Sequence, residues 1–568
     1  MQRFLNYINK EVNGLHQAAF LLASASIGAK ILAILRDRLL ASSFGAGKTL
    51  DIYYASFRLP DLLYVASLFL VSITALIPIF LDKKDKKEKK EFINIVFSAS
   101  FIIMVVSVVI LFFITPFLVG FVAPGFTGED SKTLINLSRI LLLSPLFLGF
   151  SNLVSSVIQS FRRFFAYALS GVFYNLGIIL GILFFYPKFG INGVALGVIL
   201  GALLHFLVQV PSLVRLGFFP VFTTAVFKKS AWIDIKKVFR LSFPRTLGLT
   251  LNQVVLTVVT ALASVLTAGS ITVFNLASNL QAIPLGVIAL SYSVAAFPSL
   301  AKSHLQKEKE RFLSLVVSSF RHILFWLLPA TVLFIILRAQ IVRVVLGSGA
   351  FTWTDTRLTA ASLALFALSL FAQGLILLLV RAFYAAGKTK LPLILNIISS
   401  IFIIIFSVGF LFYFKYSTDV QNFFSGLLRV DDVVGVSVLA LPLAFSLGTI
   451  LNFFLLYYFF QKEFGKITHF FKKSLIQIKI ATLVVGLVAY FGLQIFSCFF
   501  NLDTFLGIFM QGFLAGTIAL FAGFLVLRLF KNEELIDLTK SFKKKFLSAS
   551  ILRDNTEVVA KPEPEELP

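Results

Sequence analysis

The feature that most constrains this chain is a series of long apolar runs without charge. Residues 92–119 contain no ionisable side chain over 28 positions, and ~20 apolar residues are enough for a helix to cross a bilayer. A signal peptide would supply one shorter apolar segment, so it does not explain the series. The sequence therefore predicts an all-α integral membrane protein that crosses the bilayer many times.

Apolar windows of ~20 residues, bounded by charge, glycine or proline, place about fourteen transmembrane helices. The composition agrees, because 58% of the residues are hydrophobic and 14% are charged, whereas a soluble domain has about a quarter of its residues charged. The predicted spans are residues 15–40, 52–80, 92–119, 134–158, 165–186, 191–213, 243–266, 271–298, 313–337, 357–386, 391–414, 435–460, 475–500 and 504–530.

Positively charged loops set the predicted orientation. Loop 81–91 contains six lysines and segment 214–241 contains six lysines and arginines, whereas loop 267–270 contains neither. Because these residues concentrate in cytoplasmic loops, both termini are predicted to be cytoplasmic. The same distribution explains the net charge of +24 without a nucleic-acid partner, which we exclude.

A weak internal repeat predicts two lobes. Pro78 and Pro298 each end an apolar run; Asn175 follows Pro78 by 97 residues, and Asn396 follows Pro298 by 98. An offset near 220 residues would relate spans one to six to spans seven to twelve in the same orientation, and such parallel repeats place a substrate site between the lobes. The predicted domains are an N-lobe of residues 1–213, a C-lobe of 214–460, an extra helix pair in 461–530 and a cytoplasmic tail of 531–568.

Span one carries more charge than a membrane helix normally does. Its ionisable residues are Lys30, Arg36, Asp37 and Arg38. Because an ion facing lipid costs ~2.5 kcal/mol or more, such residues indicate a polar cavity, a binding site or internal ion pairs. Asp51 and Arg58, near the start of span two, are their natural neighbours. Either an anionic substrate or an ion-pair cluster that fixes the first two helices explains the group.

Three further polar residues are candidates for a substrate site. Arg245 follows Pro244 at the mouth of span seven, where interfacial snorkelling is an equally good explanation. Asn175 and Asn279 lie within predicted spans and would line a wet cavity or form hydrogen bonds between helices.

Enzyme signals are weak in this sequence. The stretch FGAGKT at 44–49 imitates the end of a phosphate-binding loop, but Ser42 stands where the first glycine would be and no buried strand precedes it. The five histidines have no metal-ligand spacing, and the one cysteine, Cys498, allows no disulfide. We therefore predict a transporter without a catalytic residue, a metal site or a cofactor.

The stretch AILRDRLLASSFGAGKTLDIYYASFRLPDLL at 33–63 resembles the opening of the MurJ/MviN family of lipid II flippases, within the multidrug/oligosaccharidyl-lipid/polysaccharide exporter superfamily. Further similar stretches are VAPGF at 122–126, QSFRRFFAYA at 159–168, GAFT at 349–352 and RAFYAAGKTKLP at 381–392. They follow the family's order and cover most of the chain.

The resemblance implies a fold with two six-helix lobes, a cationic cavity between them, and a groove for a polyprenyl tail at the extra helix pair. It also implies a bacterial inner-membrane protein that moves a lipid-linked peptidoglycan precursor (lipid II) from the inner to the outer leaflet by alternating access. Arg36 and Asp37 match the family's cavity Arg-Asp pair, Asp51 its acidic residue after the glycine turn, and Lys30 a cavity arginine.

The chain also departs from the family pattern. Phe69 stands in the place of a glutamate, and Ser278 and Asn279 replace an Asp-Arg pair. Two cavity arginines are absent, with Arg58 and Arg245 as the available substitutes. Three functions therefore stay open: a lipid II flippase, an exporter of another lipid-linked polysaccharide, and a transport-inactive scaffold for cell-wall synthesis proteins. The expected partners are a lipid-linked glycan, membrane lipids and, for the scaffold, those proteins.

Overall fold

The computed structural model describes residues 15–161 and 163–540. We number the long helices in chain order: α1 Leu15–Phe44, α2 Lys48–Asp82, α3 Lys86–Val122, α4 Gly128–Ser160, α5 Phe165–Phe189, α6 Ile191–Leu216, α7 Lys229–Ser264, α8 Ser270–Leu305, α9 Lys309–Ile336, α10 Trp353–Ala367 with Leu370–Ala385, α11 Lys390–Tyr416, α12 Val436–Phe464, α13 Lys472–Ser497 and α14 Phe505–Leu529. Two shorter helices, Arg338–Leu346 and Thr418–Leu428, lie between them.

The helices agree with the predicted spans. Within the described ranges, twelve helices are long and apolar enough to cross a membrane, and the bent pair of α10, which turns by 45°, makes thirteen. These correspond to predicted spans two to fourteen. Helix α1 has 30 residues, or ~45 Å at 1.5 Å per residue, and covers span one. The prediction of an all-α membrane fold is confirmed, whereas predicted cytoplasmic segments in residues 1–14 and 541–568 lie outside the described residues.

Several of these helices are interrupted. Helix α2 breaks at Phe57 and Ser72, and α8 contains a π-helical turn at Leu285–Ala289. Pro284 comes directly before that turn and has no backbone N–H to donate, so the regular pattern of α-helical hydrogen bonds is lost there.

The first twelve helices pack in two corresponding sets. In the first set, α1 contacts α5, α2 contacts α3 and α4, and α6 contacts α4 and α5. Six helices later the same pairs recur: α7 contacts α11, α8 contacts α9 and α10, and α12 contacts α10 and α11. This pairing is what two parallel lobes require, while the boundaries at 213 and 460 stay a prediction.

Two asparagines make equivalent contacts in the two sets. Asn175 of α5 donates to the carbonyl oxygen of Ala29 in α1 at 3.4 Å, and Asn396 of α11 donates to that of Gly248 in α7 at 3.2 Å. Asn175 and Asn396 were paired from spacing alone, and their acceptors lie a similar distance apart in sequence. The match supports the predicted repeat register.

The helix ends near loop 267–270, which we call the outer ends, meet across the two sets through backbone. Ala350 N–H donates to the carbonyl of Ser42 at 2.8 Å. A Cβ added at Gly349 would lie 2.4 Å from the Ser42 oxygen, and one added at Gly269 would lie 2.1 Å from the Ala46 oxygen. Gly349 and Gly269 also have φ of +57° and +94°, which favour glycine. The outer ends are therefore closed by contacts that tolerate no side chain.

The last two helices pack on each other, α13 also packs against α9, and α14 packs against the helix Arg338–Leu346. A groove of about 530 Å³ lies between α9 and α13, with Lys479 and Tyr490 among mostly apolar residues. The sequence predicted a lipid-tail groove at this helix pair; the described groove borders α13 and α9, and its occupant stays a prediction.

Candidate functional site

Four of the predicted site residues form one hydrogen-bonded network. Arg36 donates to Asp37 Oδ1 through Nε at 2.9 Å and Nη2 at 2.7 Å, and through Nη1 to Asn175 Oδ1 at 3.0 Å. Asn279 of α8 donates to Asp37 Oδ2 at 3.1 Å. The network thus joins α1 and α5 of the first set to α8 of the second.

Lys30 lies beside this network without a partner. Its side chain is half-buried and passes Gly286 in the π-helical turn of α8. Among the residues that the structure describes, the Lys30 ammonium makes no hydrogen bond or ion pair. An unpaired cation in a membrane interior requires water or an anion nearby, so Lys30 is the strongest single indication of an anionic ligand.

A small cavity joins Lys30 to the network. It has a volume of about 100 Å³ and lies between α1, α8 and the helix Arg338–Leu346, with Lys30, Arg36, Asp37 and Asn279 in its wall. One water needs roughly 10–15 Å³ of such a volume, so the cavity has room for several waters beside the charged side chains. The larger cationic cavity implied by the resemblance stays a prediction.

Asp51 lies apart from the cavity and holds the outer end of α8. Its Oδ2 accepts the Gly269 N–H at 2.6 Å, and its Oδ1 accepts the Thr272 N–H at 2.7 Å and hydroxyl at 2.6 Å. A carboxylate at a helix N-terminus satisfies free N–H groups and the helix dipole. Asp51 was predicted to bind substrate, but both of its oxygens are engaged here.

Arg58 also connects the two sets of helices. This buried side chain donates to Thr260 of α7 at 2.7 Å and to Asn275 of α8 at 2.9 Å. Asp61, one turn further along α2, is close enough for its charge to act on Arg58. The structure therefore gives this predicted substrate residue a bridging contact between α2, α7 and α8.

Arg245 does not join the network. Its side chain is exposed midway along α7, directly after Pro244, and close enough to Arg381 for the two like charges to interact. Interfacial snorkelling explains this position as well as substrate binding does.

The sequence analysis did not identify Asn275 and Thr260, which accept hydrogen bonds from Arg58. Asn275 lies four residues before Asn279, so the two amides share a face of α8. The spacing of Asn275 and Asn279 can be read from the sequence, whereas the contact of Thr260 of α7 with Arg58 cannot.

A comparison with known proteins agrees with this architecture. The family model described as lipid II flippase MurJ matches residues 40–419. A probable lipid II flippase MurJ of Buchnera aphidicola subsp. Schizaphis graminum is 28% identical over 439 residues, which is 76% of this chain and 80% of the relative.

Solved structures share the fold. A structure titled lipid II flippase MurJ, inward closed conformation, superposes with a TM-score of 0.72 at 23% identity and covers 90% of this chain and 99% of its own. A multidrug resistance MATE family transporter in an inward-facing conformation gives a TM-score of 0.61 at 16% identity, over 78% of this chain and 98% of its own. The family match covers most of the chain and describes a transporter rather than an enzyme, and this chain therefore belongs to the MurJ family of lipid II flippases.

Proposed function

We propose that this multi-pass protein of the bacterial inner membrane moves lipid II, a polyprenyl-diphosphate-linked peptidoglycan precursor, from the inner to the outer leaflet. The observation that carries the proposal is the unpaired Lys30 ammonium beside the Arg36–Asp37 pair in the cavity between α1 and α8. A diphosphate is anionic, and a cation already removed from bulk water binds it more strongly than an exposed one.

The contacts of Arg36 suggest how the headgroup would be held. Its guanidinium presents several N–H donors in a plane, a geometry that matches phosphate oxygens. In the closed conformation Asp37 and Asn175 occupy those donors. A headgroup that enters between the lobes would compete with Asp37 for Arg36, and Asp37 would retake Arg36 when the headgroup leaves. Lys30 would contribute a second cation at the same cavity.

Complementation tests the function directly. Expression of this chain should restore growth to bacteria depleted of their own lipid II flippase and make labelled lipid II accessible at the outer leaflet. Failure of both, with the protein present in the membrane at normal abundance, would contradict the proposal. An exporter of another lipid-linked polysaccharide would instead move that lipid in vesicles while leaving lipid II in the inner leaflet.

The ion pair of Arg36 favours one alternative. Arg36 is already neutralised by Asp37, whose Oδ1 lies 2.7 Å from Nη2. A transport-inactive scaffold that contacts cell-wall synthesis proteins would need no free cation at this position. Under the scaffold function, replacing Lys30 by alanine would leave growth unchanged; under the flippase function it would reduce lipid II accessibility.

The orientation is part of the same proposal. The lysines of loop 81–91 and the cations of 214–241 indicate that the inner ends face the cytoplasm. A cysteine placed in loop 81–91 or at Lys228, with Cys498 replaced by serine, should react with a membrane-impermeant maleimide only after the cells are opened. A cysteine at Thr267 should react in intact cells. The opposite pattern would invert the proposed direction of transport.

A further inference from the structure

A second apolar groove lies at the junction between the two sets of helices. It has a volume of about 460 Å³, and residues of α2, α3 and α7 form its wall, among them Ala66, Phe69, Ser107, Trp232 and Lys236. Its lining is almost entirely carbon, and Lys236 is its one charged residue. It shares no residue with the cavity at Lys30 and Arg36.

Aromatic side chains form the floor of this groove across the junction. Phe69 of α2 stacks on Phe239 of α7 with ring centroids 5.3 Å apart, and Phe243 lies 5.7 Å from Phe69. These aromatic side chains make the groove suitable for a hydrocarbon chain.

The charged group at the inner end of the groove is the ammonium of Lys236. Neighbouring lysines have partners: Lys237 pairs with Asp82 at 3.3 Å and Lys83 with Asp234 at 2.9 Å. In the part of the chain that the structure describes, Lys236 has no hydrogen-bond or ion-pair partner. The Lys236 ammonium is therefore available to an anion at this edge of the membrane.

Trp232 is the groove residue that we expect at the level of the lipid headgroups. It lies one turn before Lys236 on α7 and is 60% exposed, and tryptophan concentrates at the boundary between headgroups and hydrocarbon. A chain that entered the groove beside Trp232 would run along Phe69 towards Ser107, with its headgroup at Lys236.

We propose that this groove binds one acyl chain of an anionic phospholipid, with the phosphate on Lys236 and the hydrocarbon between α2, α3 and α7. The occupant touches helices from both sets, so it stabilises the contact between them that the structure describes. The groove is separate from the substrate cavity, and the proposal does not depend on which glycan is moved.

Quenching of Trp232 by brominated lipids tests the proposal. The chain carries three tryptophans; Trp326→Phe and Trp353→Phe leave Trp232 as the reporter. The protein is reconstituted into phosphatidylcholine vesicles that contain either brominated phosphatidylglycerol or brominated phosphatidylcholine at equal mole fraction. We expect phosphatidylglycerol to occupy the groove about fivefold more readily, the effect of one lysine near an anionic lipid, ~1 kcal/mol.

Three variants distinguish lipid binding in the groove from a general attraction of the protein to anionic lipid. Lys236→Glu should abolish the preference, and Ala66→Phe, which fills the groove, should reduce quenching by both lipids. Lys229→Glu makes the same charge change on the same helix outside the groove and should keep the preference. Equal quenching by the two lipids in the unaltered groove, or a preference that survives Lys236→Glu, would overturn the proposal. Relief of quenching by unlabelled polyprenyl phosphate at low mole fraction would also overturn it, because the groove would then take a polyprenyl tail.

Discussion

Replacing Arg36 with alanine should abolish lipid II translocation while leaving the amount of protein in the membrane near normal. The guanidinium is the donor group of the cavity and reaches Asp37 and Asn175. Removing one charge-assisted contact of ~1.5–3 kcal/mol lowers headgroup affinity by roughly ten- to a hundredfold. The measurement is accessibility of labelled lipid II at the outer leaflet of cells that depend on this protein.

Two control variants define the result for Arg36. Arg36→Lys should restore activity in part, because an ammonium keeps the charge but lacks the planar pair of donors. Arg311→Ala removes an exposed arginine that pairs with Glu308 at the inner end of α9 and should have no effect. Full activity in Arg36→Ala would remove this residue from the mechanism and favour the scaffold function.

Replacing Asp51 with alanine should open the outer ends of the helices. Asp51 accepts three hydrogen bonds from Gly269 and Thr272 at the start of α8, and bonds to a charged group are worth ~1.5–3 kcal/mol each. In a Cys498→Ser background, a cysteine at Ser264, which is buried at the end of α7, reports the change. Its reaction with a membrane-impermeant maleimide should rise at least tenfold in Asp51→Ala.

Asp130 provides the matched control for Asp51. It is also a carboxylate near the outer ends, and it pairs with Lys48 at 2.9 Å in an exposed position, where an ion pair contributes ~1 kcal/mol or less. Asp130→Ala should leave the labelling of Ser264→Cys unchanged. If Asp51→Ala also leaves it unchanged, the carboxylate does not hold the outer ends together.

The number and order of the helices followed from the sequence because membrane helices have a simple requirement. Each needs ~20 apolar residues, and this chain meets it in well-separated runs. The interruptions were harder to place. An apolar window does not reveal the break of α2 at Ser72 or the π-helical turn that follows Pro284 at Leu285–Ala289.

The candidate site was only partly predictable. Arg36 and Asp37 were identified because charge in a membrane span is costly, and the structure places them with Asn175 and Asn279. The sequence did not reveal the role of Asp51, because an aspartate that binds a ligand and an aspartate that caps a helix in the other lobe look the same in a sequence. The role of Asp51 depends on which helix end lies opposite it, and only the folded structure shows that.

The π-helical turn of α8 has a consequence for the motion of this helix. A π-helical turn contains about one residue more than an α-helical turn. Adding or removing one residue rotates the rest of the helix by ~100° about the helix axis. If Leu285–Ala289 converted to regular α-helix, the inner half of α8 would turn relative to Asn279 and carry Gly286 away from Lys30. A change confined to five residues would then alter which surface meets the unpaired cation, without unfolding either half of the helix.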